Sequence, residues 1–295
     1  MRARGTRARE RLGLLLPALL LVAVVLIVPI LRVAQLSFTR VELEGGVTER
    51  WAGLEAYRRL WQDSRWWTAL GNTLVFTGSS VLLETLLGIL FALVLHRRLR
   101  GRGLLRAVVL VPWALPTAVM ALAWAWIFND AFGVANDLLL RLGLLDRPVA
   151  WLGEPGKAMM AMVLADVWKT TPFVALIVLA GLQGIPEELF EAGRVDGLSA
   201  WRRFRYLALP LLAPSILVAA AFRAVQSYGA FDIVYAMTGG GPGGATETLS
   251  LYAFQNYFRY LDFGYGSAIA VQGVLLAAAL GLAGWGLARR RGGPA

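Results

Sequence analysis

Residues 183–207 read QGIPEELFEAGRVDGLSAWRRFRYL and run on into Ala208-Leu209-Pro210. The stretch has helical grammar. Pro186 suits a first helical turn, and Glu187 and Glu188 follow where the positive end of a helix dipole favours carboxylates. Leu189, Phe190, Ala192 and Val195 supply apolar surface. Asp196-Gly197 is a strong break. Ser199 is placed to cap a second short helix carrying Trp201, Arg202, Arg203 and Phe204. A helix–turn–helix of this kind leaves Phe190, Trp201 and Phe204 exposed and in need of a partner to cover them.

The sequence on either side is of another kind. Hydrophobic residues make up 58% of the 295-residue chain, charged residues 16%, and the mean hydropathy is +0.60. Soluble domains hold about 25% charge, so a single soluble globular domain is excluded, and the apolar content excludes disorder. A spanning helix needs roughly 20 mostly apolar residues. Six stretches qualify: 12–31, 69–95, 107–128, 158–182, 208–236 and 266–288. The first follows a basic segment with Arg2, Arg4, Arg7, Arg9 and Arg11, as a signal peptide would. Its apolar run is longer than a typical signal core and no clear A-x-A site follows, so it reads as a retained helix. The expected fold class is all-α, a six-span polytopic membrane protein forming one transmembrane domain over 1–295. The loop 183–207 is its longest inner segment.

Charge orients the spans. Segments 1–11, 96–106, 183–207 and 289–295 carry 17 Lys and Arg against 5 acids, whereas 32–68, 129–157 and 237–265 carry 10 against 11. The positive-inside rule puts both termini in the cytoplasm. The runs Arg97-Arg98 and Arg289–Arg291 sit directly after spans and act as topology anchors, with lipid headgroups as a further possible contact. The formal net charge of +10 is therefore a topology signal and not the mark of a nucleic-acid partner.

Several chemistries are absent from the sequence. There is no Cys, and His96 is the only His, which removes thiolate metal sites and most His-based hydrolysis. No G-x-x-x-x-G-K-[ST] occurs, so the chain has no P-loop for ATP. Gly239, Gly241 and Gly244 match G-x-G-x-x-G, but TGGGPGGAT follows a span and opens no βαβ unit. It reads as a flexible outer loop or turn.

The inner loop resembles a known pattern. Glu191-Ala192-Gly193, three residues, Gly197, nine residues, then Leu207-Ala208-Leu209-Pro210 is similar to the EAA loop of ABC importer permeases. That pattern runs E-A-A, three residues, G, nine residues, I, any residue, L-P. Two positions depart: Gly193 stands for the third Ala, adding backbone freedom, and Leu207 stands for Ile. The resemblance extends through Asn72-Thr73, Pro112 and Pro116, Gly133 with Asn136, and Trp168-Lys169-Thr170-Thr171-Pro172. The stretch from Phe231-Asp232 through Tyr235 to Thr238-Gly239-Gly240-Gly241-Pro242 resembles carbohydrate-importer permeases of the maltose, trehalose and glycerol-phosphate type. Within these, it is most similar to the first permease subunit of trehalose or maltose importers.

The resemblance implies a type I ABC importer transmembrane domain in the bacterial inner membrane. It implies a second homologous permease, two ATP-binding subunits that hold ATP and Mg, an extracytoplasmic sugar-binding protein, and surrounding membrane lipid. This chain would hold no cofactor, bind no nucleic acid and catalyse no reaction itself. In the coupling loop, Phe190, Trp201 and Phe204 would pack against the ATPase, and Glu191, Arg194 and Asp196 would orient the contact. Ala192, Gly193 and Gly197 complete the motif.

Ionisable groups inside spans mark function or internal pairing. Thr73, Thr77, Ser80 and Glu84 share one helix face, which turns either to the pathway or to a partner subunit. Asp166 and Lys169, at i and i+3, are placed either to pair with each other or to face the pathway. Arg223 and Gln226 share a face of the fifth span. A sugar site needs aromatic faces for C–H surface and polar groups for hydroxyls. The candidate pathway residues are Asn72, Trp124, Asn129, Trp168, Gln226, Tyr228 and Asp232; the competing reading makes the tryptophans lipid- or helix-facing filler. Other function classes fit less well. A self-sufficient secondary transporter usually shows an internal repeat, and none is visible. A membrane enzyme would need paired carboxylates, and Glu84, Asp166 and Asp232 lie on three different spans.

Overall fold

The computed structural model describes residues 15–18, 20–42, 48–97 and 101–291, with only the backbone of Arg102, Trp285 and residues 287–291. The N-terminal arginines through Arg11, the start of the first expected span, Arg98 and the side chains of Arg289–Arg291 lie outside the described residues. The chain runs α1 (Leu15–Leu36), β1 (Thr39–Glu42), β2 (Thr48–Trp51), α2 (Glu55–Gln62), α3 (Ser64–His96), α4 (Arg102–Ala114) and α5 (Thr117–Ile127). It continues through α6 (Val134–Arg141), α7 (Pro155–Gln183), α8 (Glu187–Val195), α9 (Ala200–Tyr228), α10 (Asp232–Met237), α11 (Leu249–Phe254) and α12 (Phe263–Arg291).

Among the described residues, five helices are long and apolar enough to cross a membrane: α1, α3, α7, α9 and α12. The stretch 107–128, expected as one span, is two helices that meet at 90°. The cause is local. Pro116 forces Leu115 into an extended conformation (ψ 140°), so α4 stops there and α5 restarts in a new direction. The pair counts as a sixth span if taken as one crossing. The stretch 208–236 is likewise divided, because α9 ends at Tyr228 and α10 begins at Asp232. Pro172, by contrast, leaves α7 continuous. Two prolines are preceded by wide turns. Before Pro29 and Pro210, the amides of Val28 and Leu209 bond five residues back, to Ala23 and Phe204. A wide turn eases the clash between a proline ring and the preceding turn of helix.

The chain divides into two compact units. The first comprises residues up to Asp63 together with Tyr252–Gln272. Its two strands pair antiparallel, Thr39 opposite Trp51 and Glu42 opposite Thr48. Phe38 stacks on Trp51 at 5.7 Å. Asp63 accepts hydrogen bonds from the hydroxyls of Tyr252 and Tyr265. Burial, then the bond to Asp63, pushes the Tyr252 phenol up to about 12, which keeps it a donor. Arg59 lies 4.0 Å over the Tyr265 ring and pairs with Asp262 at 2.7 Å. A Cβ at Gly264 would sit 2.2 Å from the Thr39 carbonyl oxygen, so only glycine permits that approach.

The second unit comprises Ser64–Leu251 and the chain from Gly273 onward. Its centre is α7, the most buried of the long helices. Ala92, Leu95, Val174, Val178, Leu179, Leu182, Ala208, Leu212 and Ala219 form a continuous apolar cluster from α3, α7 and α9. Helices in an apolar solvent gain little from hydrophobic burial and associate through close packing at small residues. The crossings follow this rule. A Cβ at Gly88 would meet Val174 Cγ1 at 2.6 Å, and one at Gly181 would meet Ser215 Oγ at 2.5 Å. On α12, a Cβ at Gly284 would meet Ala221 Cβ at 2.7 Å.

Gly88→Ala should therefore lower the stability of the detergent-solubilised protein by about 1–3 kcal/mol, through overpacking against Val174. Gly78→Ala on the same helix meets nothing within 4 Å and should be neutral or stabilising. Thermal unfolding of the two variants side by side checks this; equal behaviour would refute the close crossing.

Candidate functional site: the coupling loop and the membrane charge cluster

The loop 183–207 folds as two short helices at a sharp turn. Pro186 stands just before α8, as its N-cap, and not inside the first turn. Helix α8 closes with a Schellman motif. Leu198 N donates to Gly193 O at 2.9 Å and Gly197 N donates to Arg194 O at 3.1 Å, with Gly197 at φ +72°. Ser199 Oγ then accepts from Arg202 N at 3.3 Å and caps the start of α9. Arg203 Nη1 donates to Leu198 O at 2.6 Å, which closes the turn from the other side.

The faces of this pair differ from the sequence expectation. Phe190 and Phe204 are half-buried and pack inward against the apolar cluster, so they anchor the loop to the bundle. Val195 (89% exposed) and Trp201 (68%) turn outward, as do Tyr206 and Leu189. Glu191, Ala192, Arg194, Asp196 and Gly197 are exposed as well, with Glu191 and Arg194 paired at 3.3 Å.

Gly193 is buried, and its missing side chain has a packing role. A Cβ on it would meet Leu207 Cδ1 at 2.9 Å and Arg203 Cδ at 3.4 Å. The two departures from the E-A-A pattern thus meet each other in space: the missing methyl at 193 makes room for the leucine at 207.

A charge cluster lies within the membrane-length helices. Arg223 of α9 holds Glu84 of α3 with two bonds, Nε to Oε2 at 2.6 Å and Nη2 to Oε1 at 2.9 Å. Its Nη2 also donates to Asp166 Oδ2 of α7 at 3.1 Å. Thr170 Oγ1 donates to Glu84 Oε1 at 2.6 Å, and Gln226 Oε1 accepts from Arg223 Nη1 at 2.9 Å. Glu84 is fully buried and Arg223 nearly so. Of the two roles open to Asp166 and Lys169, pairing with each other gives way to Asp166–Arg223, and Lys169 Nζ donates to the Trp113 carbonyl at 3.3 Å. Long-range pairing outcompetes the i, i+3 pair because the guanidinium offers two parallel donors to Glu84 and one more to Asp166. Of the polar stripe on α3, Thr73, Thr77, Ser80 and Glu84 are all buried.

The candidate pathway residues separate into two groups. Asn72 is structural: its Nδ2 donates to Gly244 O at 2.9 Å and Glu247 O at 3.1 Å. Asn129 is also local, its Oδ1 accepting from the amides of Ala131 and Phe132. Tyr228 is buried, with no partner for its hydroxyl among the described residues. Trp124 and Trp168 meet edge to face at 5.8 Å, and Gln226 and Asp232 are exposed. On α7, the largely buried helix, Met160, Leu164 and Trp168 form one open stripe at four-residue spacing.

Of the flexible outer loop or turn expected, the glycine-rich segment is a series of turns, held by hydrogen bonds. The hydroxyls of Thr238 and Thr246 meet at 2.8 Å, Thr73 Oγ1 accepts from Leu249 N at 2.9 Å, and Arg65 grips Glu247 with two 2.8 Å bonds. Sequence reading missed this because the partners of the segment lie some 170–180 residues away on α3.

Two outcomes follow from these geometries. Arg223→Gln leaves two buried carboxylates without their cation and should cost about 3–5 kcal/mol, read by thermal unfolding in detergent. The triple variant Glu84→Gln, Asp166→Asn, Arg223→Gln should recover part of that loss, and an unaffected single variant would refute the clamp. In the loop, a double-mutant cycle of Gly193→Ala with Leu207→Ala should return a coupling of about 0.5–3 kcal/mol. Additive effects would mean the two positions do not touch.

Comparison with known proteins agrees with this architecture. Residues 84–290 match the family model of the binding-protein-dependent transport system inner membrane component. The chain is 45% identical over 258 residues to the trehalose/maltose transport system permease protein MalF of Thermococcus litoralis, covering 88% of this chain and 86% of that one. It is 41% identical to the sulfoquinovosyl glycerol transport system permease protein SmoG of Agrobacterium fabrum, covering 88% and 83%. It is 39% identical to the trehalose transport system permease protein SugA of Mycobacterium tuberculosis, covering 90% and 85%. Its fold is that of the type I ABC importer permeases. A chain in the crystal structure of a bacterial ABC transporter importing the acidic polysaccharide alginate superposes with a TM-score of 0.84 at 22% identity, over 98% of this chain and 99% of that one. The chain belongs to the family of multi-pass inner membrane components of binding-protein-dependent transport systems.

Proposed function

We propose that the chain is one of two homologous permease subunits of an ATP-driven importer that carries a di- or oligosaccharide, trehalose or maltose first, by alternating access. In this reading both termini and residues 183–207 are cytoplasmic. Two separate ATP-binding subunits hold ATP and Mg and dock on the loop, and an extracytoplasmic binding protein delivers the sugar on the opposite side. The whole chain, 1–295, acts as one permease domain. The relatives named for trehalose and maltose support the substrate class.

One observation carries the mechanism. Helix α9 is continuous from Ala200 to Tyr228, so it joins Trp201, on the outward face of the loop, to Arg223 in the charge cluster. At about 1.5 Å per residue the two are about 33 Å apart along one helix. A partner that closes on Trp201 and Val195 pushes on a loop whose inner side is pinned by Phe190 and Phe204. The displacement then passes along α9 to the helices that Arg223 binds. Glu191 and Arg194, paired on the same short helix, set the orientation of the contact.

The open stripe of α7, with Trp168 against Trp124, offers aromatic surface for a sugar, and Gln226 and Asp232 offer polar groups. A glycerol-phosphate substrate would need a cation in the pathway. Arg223 is committed to Glu84 and Asp166, and Lys169 to a carbonyl, which favours an uncharged sugar.

The test is reconstitution with the partner subunits and binding protein in proteoliposomes. Uptake of labelled trehalose and maltose should require ATP. Val195→Asp and Glu191→Lys, both at exposed positions, should leave the chain folded and lower substrate-stimulated ATP hydrolysis at least about tenfold, the equivalent of about 1.4 kcal/mol. Trp168→Ala and Gln226→Ala should lower uptake. Full coupling in the first pair would refute the docking role, and normal uptake in the second pair would refute the pathway assignment.

A further inference from the structure

Behind the two short helices of the loop lies a cavity of about 1120 Å³, bounded by the end of α3, the start of α4, the end of α7, the inner side of α8 and the start of α9. Its charged lining is dominated by arginine: Arg97, Arg106, Arg194 and Arg203, with His96 beside them, against Glu187 and Glu188. Two of the arginines are engaged elsewhere, Arg194 with Glu191 and Arg203 with the Leu198 carbonyl. Arg106 is not. Its Nε and Nη2 are both fully buried and have no hydrogen-bond partner among the described residues. Arg106 as a whole is half-buried, and each donor taken out of water without a bond leaves its desolvation cost uncompensated. Nε and one Nη of a guanidinium present parallel N–H bonds that match two oxygens of a phosphate or carboxylate.

We propose that this cavity is a binding site for a phosphate-bearing anion, held by Arg106 and completed by Arg97. The size of the space fits a headgroup or a small phosphorylated solute and exceeds that of a lone ion. The chemistry is the same whether the phosphate belongs to an anionic lipid or to a soluble molecule. A protein partner does not fit the observations. Phe190 and Phe204, which line the cavity, are the residues turned inward on the bundle. Val195 and Trp201, which turn outward, do not line it. An anion here would bridge the α3–α4 corner to the back of α8 and stiffen the loop in its docked position.

The inference is independent of which solute is transported, and its test reads binding alone. The full chain, co-purified with its partner subunits in nanodiscs, is probed with radiolabelled inorganic phosphate and, by native mass spectrometry, for retained phosphatidylglycerol against a phosphatidylcholine background. The wild type should bind one phosphate-bearing molecule per chain at this site. Arg106→Gln should weaken that binding about tenfold or more, a loss of about 1.4 kcal/mol. Arg141→Gln, at an exposed residue paired with Asp137 elsewhere, should behave as wild type. If Arg106→Gln fails to fold, Arg97→Gln, at an exposed position, gives the same readout. Phosphatidylglycerol retained in excess free phosphate identifies a lipid ligand, and its displacement by free phosphate identifies a soluble one. Failure of both probes to bind the assembled complex, as when a partner side chain fills the cavity, overturns the proposal. So does equal binding by wild type and the Arg106 and Arg97 variants.

Discussion

The contact on which the second unit depends is Arg223 between Glu84 and Asp166. Three charged groups sit where neither water nor lipid can solvate them, and each is tolerable only because the others are present. The requirement is geometric as well as electrostatic. Two parallel bonds to Glu84 and a third to Asp166 fix the rotation and height of α9 against α3 and α7 together. A slip of one residue along any of the three helices would turn a charge by about 100° into an apolar face. The cluster therefore specifies register, a task that packing among Leu, Val and Ala performs poorly in an apolar solvent. Small residues then permit the helices to come as close as those bonds demand, Gly88 at the α3–α7 crossing and Gly181 at the α7–α9 crossing.

The loop 183–207 inherits this rigidity. Its turn is closed from both sides, by the Schellman bonds at Gly197 and by Arg203 on Leu198 O, and its inner face is seated by Phe190 and Phe204. Between the loop and the charge cluster the ladder of α9 is relaxed at the wide turn Phe204–Ala208, which precedes Pro210, and again at Pro214 inside the helix. Wide turns and prolines are where helices bend. A change of angle between the loop and the membrane portion of α9 is thus directed to the stretch 204–214.

Much of this was legible in the sequence, for reasons that can be stated. The long apolar runs place α3, α7 and α12, because nothing but a helix satisfies the backbone over such lengths in lipid. The turn grammar of 183–207 places Asp196-Gly197 and Ser199 correctly, because caps and left-handed glycines act within four residues. What failed was non-local. The partner of Glu84 is 139 residues away and that of Arg65 is 182 residues away. Spacing along one helix suggested Asp166 with Lys169 and could not see Arg223. Asn72 and Asn129 read as free polar groups because their acceptors and donors are backbone atoms, which leave no trace in residue type. Gly193 and Leu207 read as two mild and separate departures, and only their contact shows that one compensates the other.

Helix α3 gathers these parts into one lever. Near its start, Arg65, Asn72 and Thr73 bind the segment 244–249; in its middle, Glu84 binds Arg223; at its end, His96 and Arg97 line the arginine-rich cavity. Its 33 residues span about 50 Å at 1.5 Å per residue, and no proline interrupts them. The glycine-rich segment is fastened to α3 by charged and buried polar bonds. Arg223 joins the middle of α3 to α9, the helix whose first turn lies in the loop. The segment TGGGPGGAT is thereby held against the start of the same helix that carries Glu84. Its glycines, four of them at positive φ, serve to bring the backbone carbonyls of Gly244 and Glu247 within reach of Asn72.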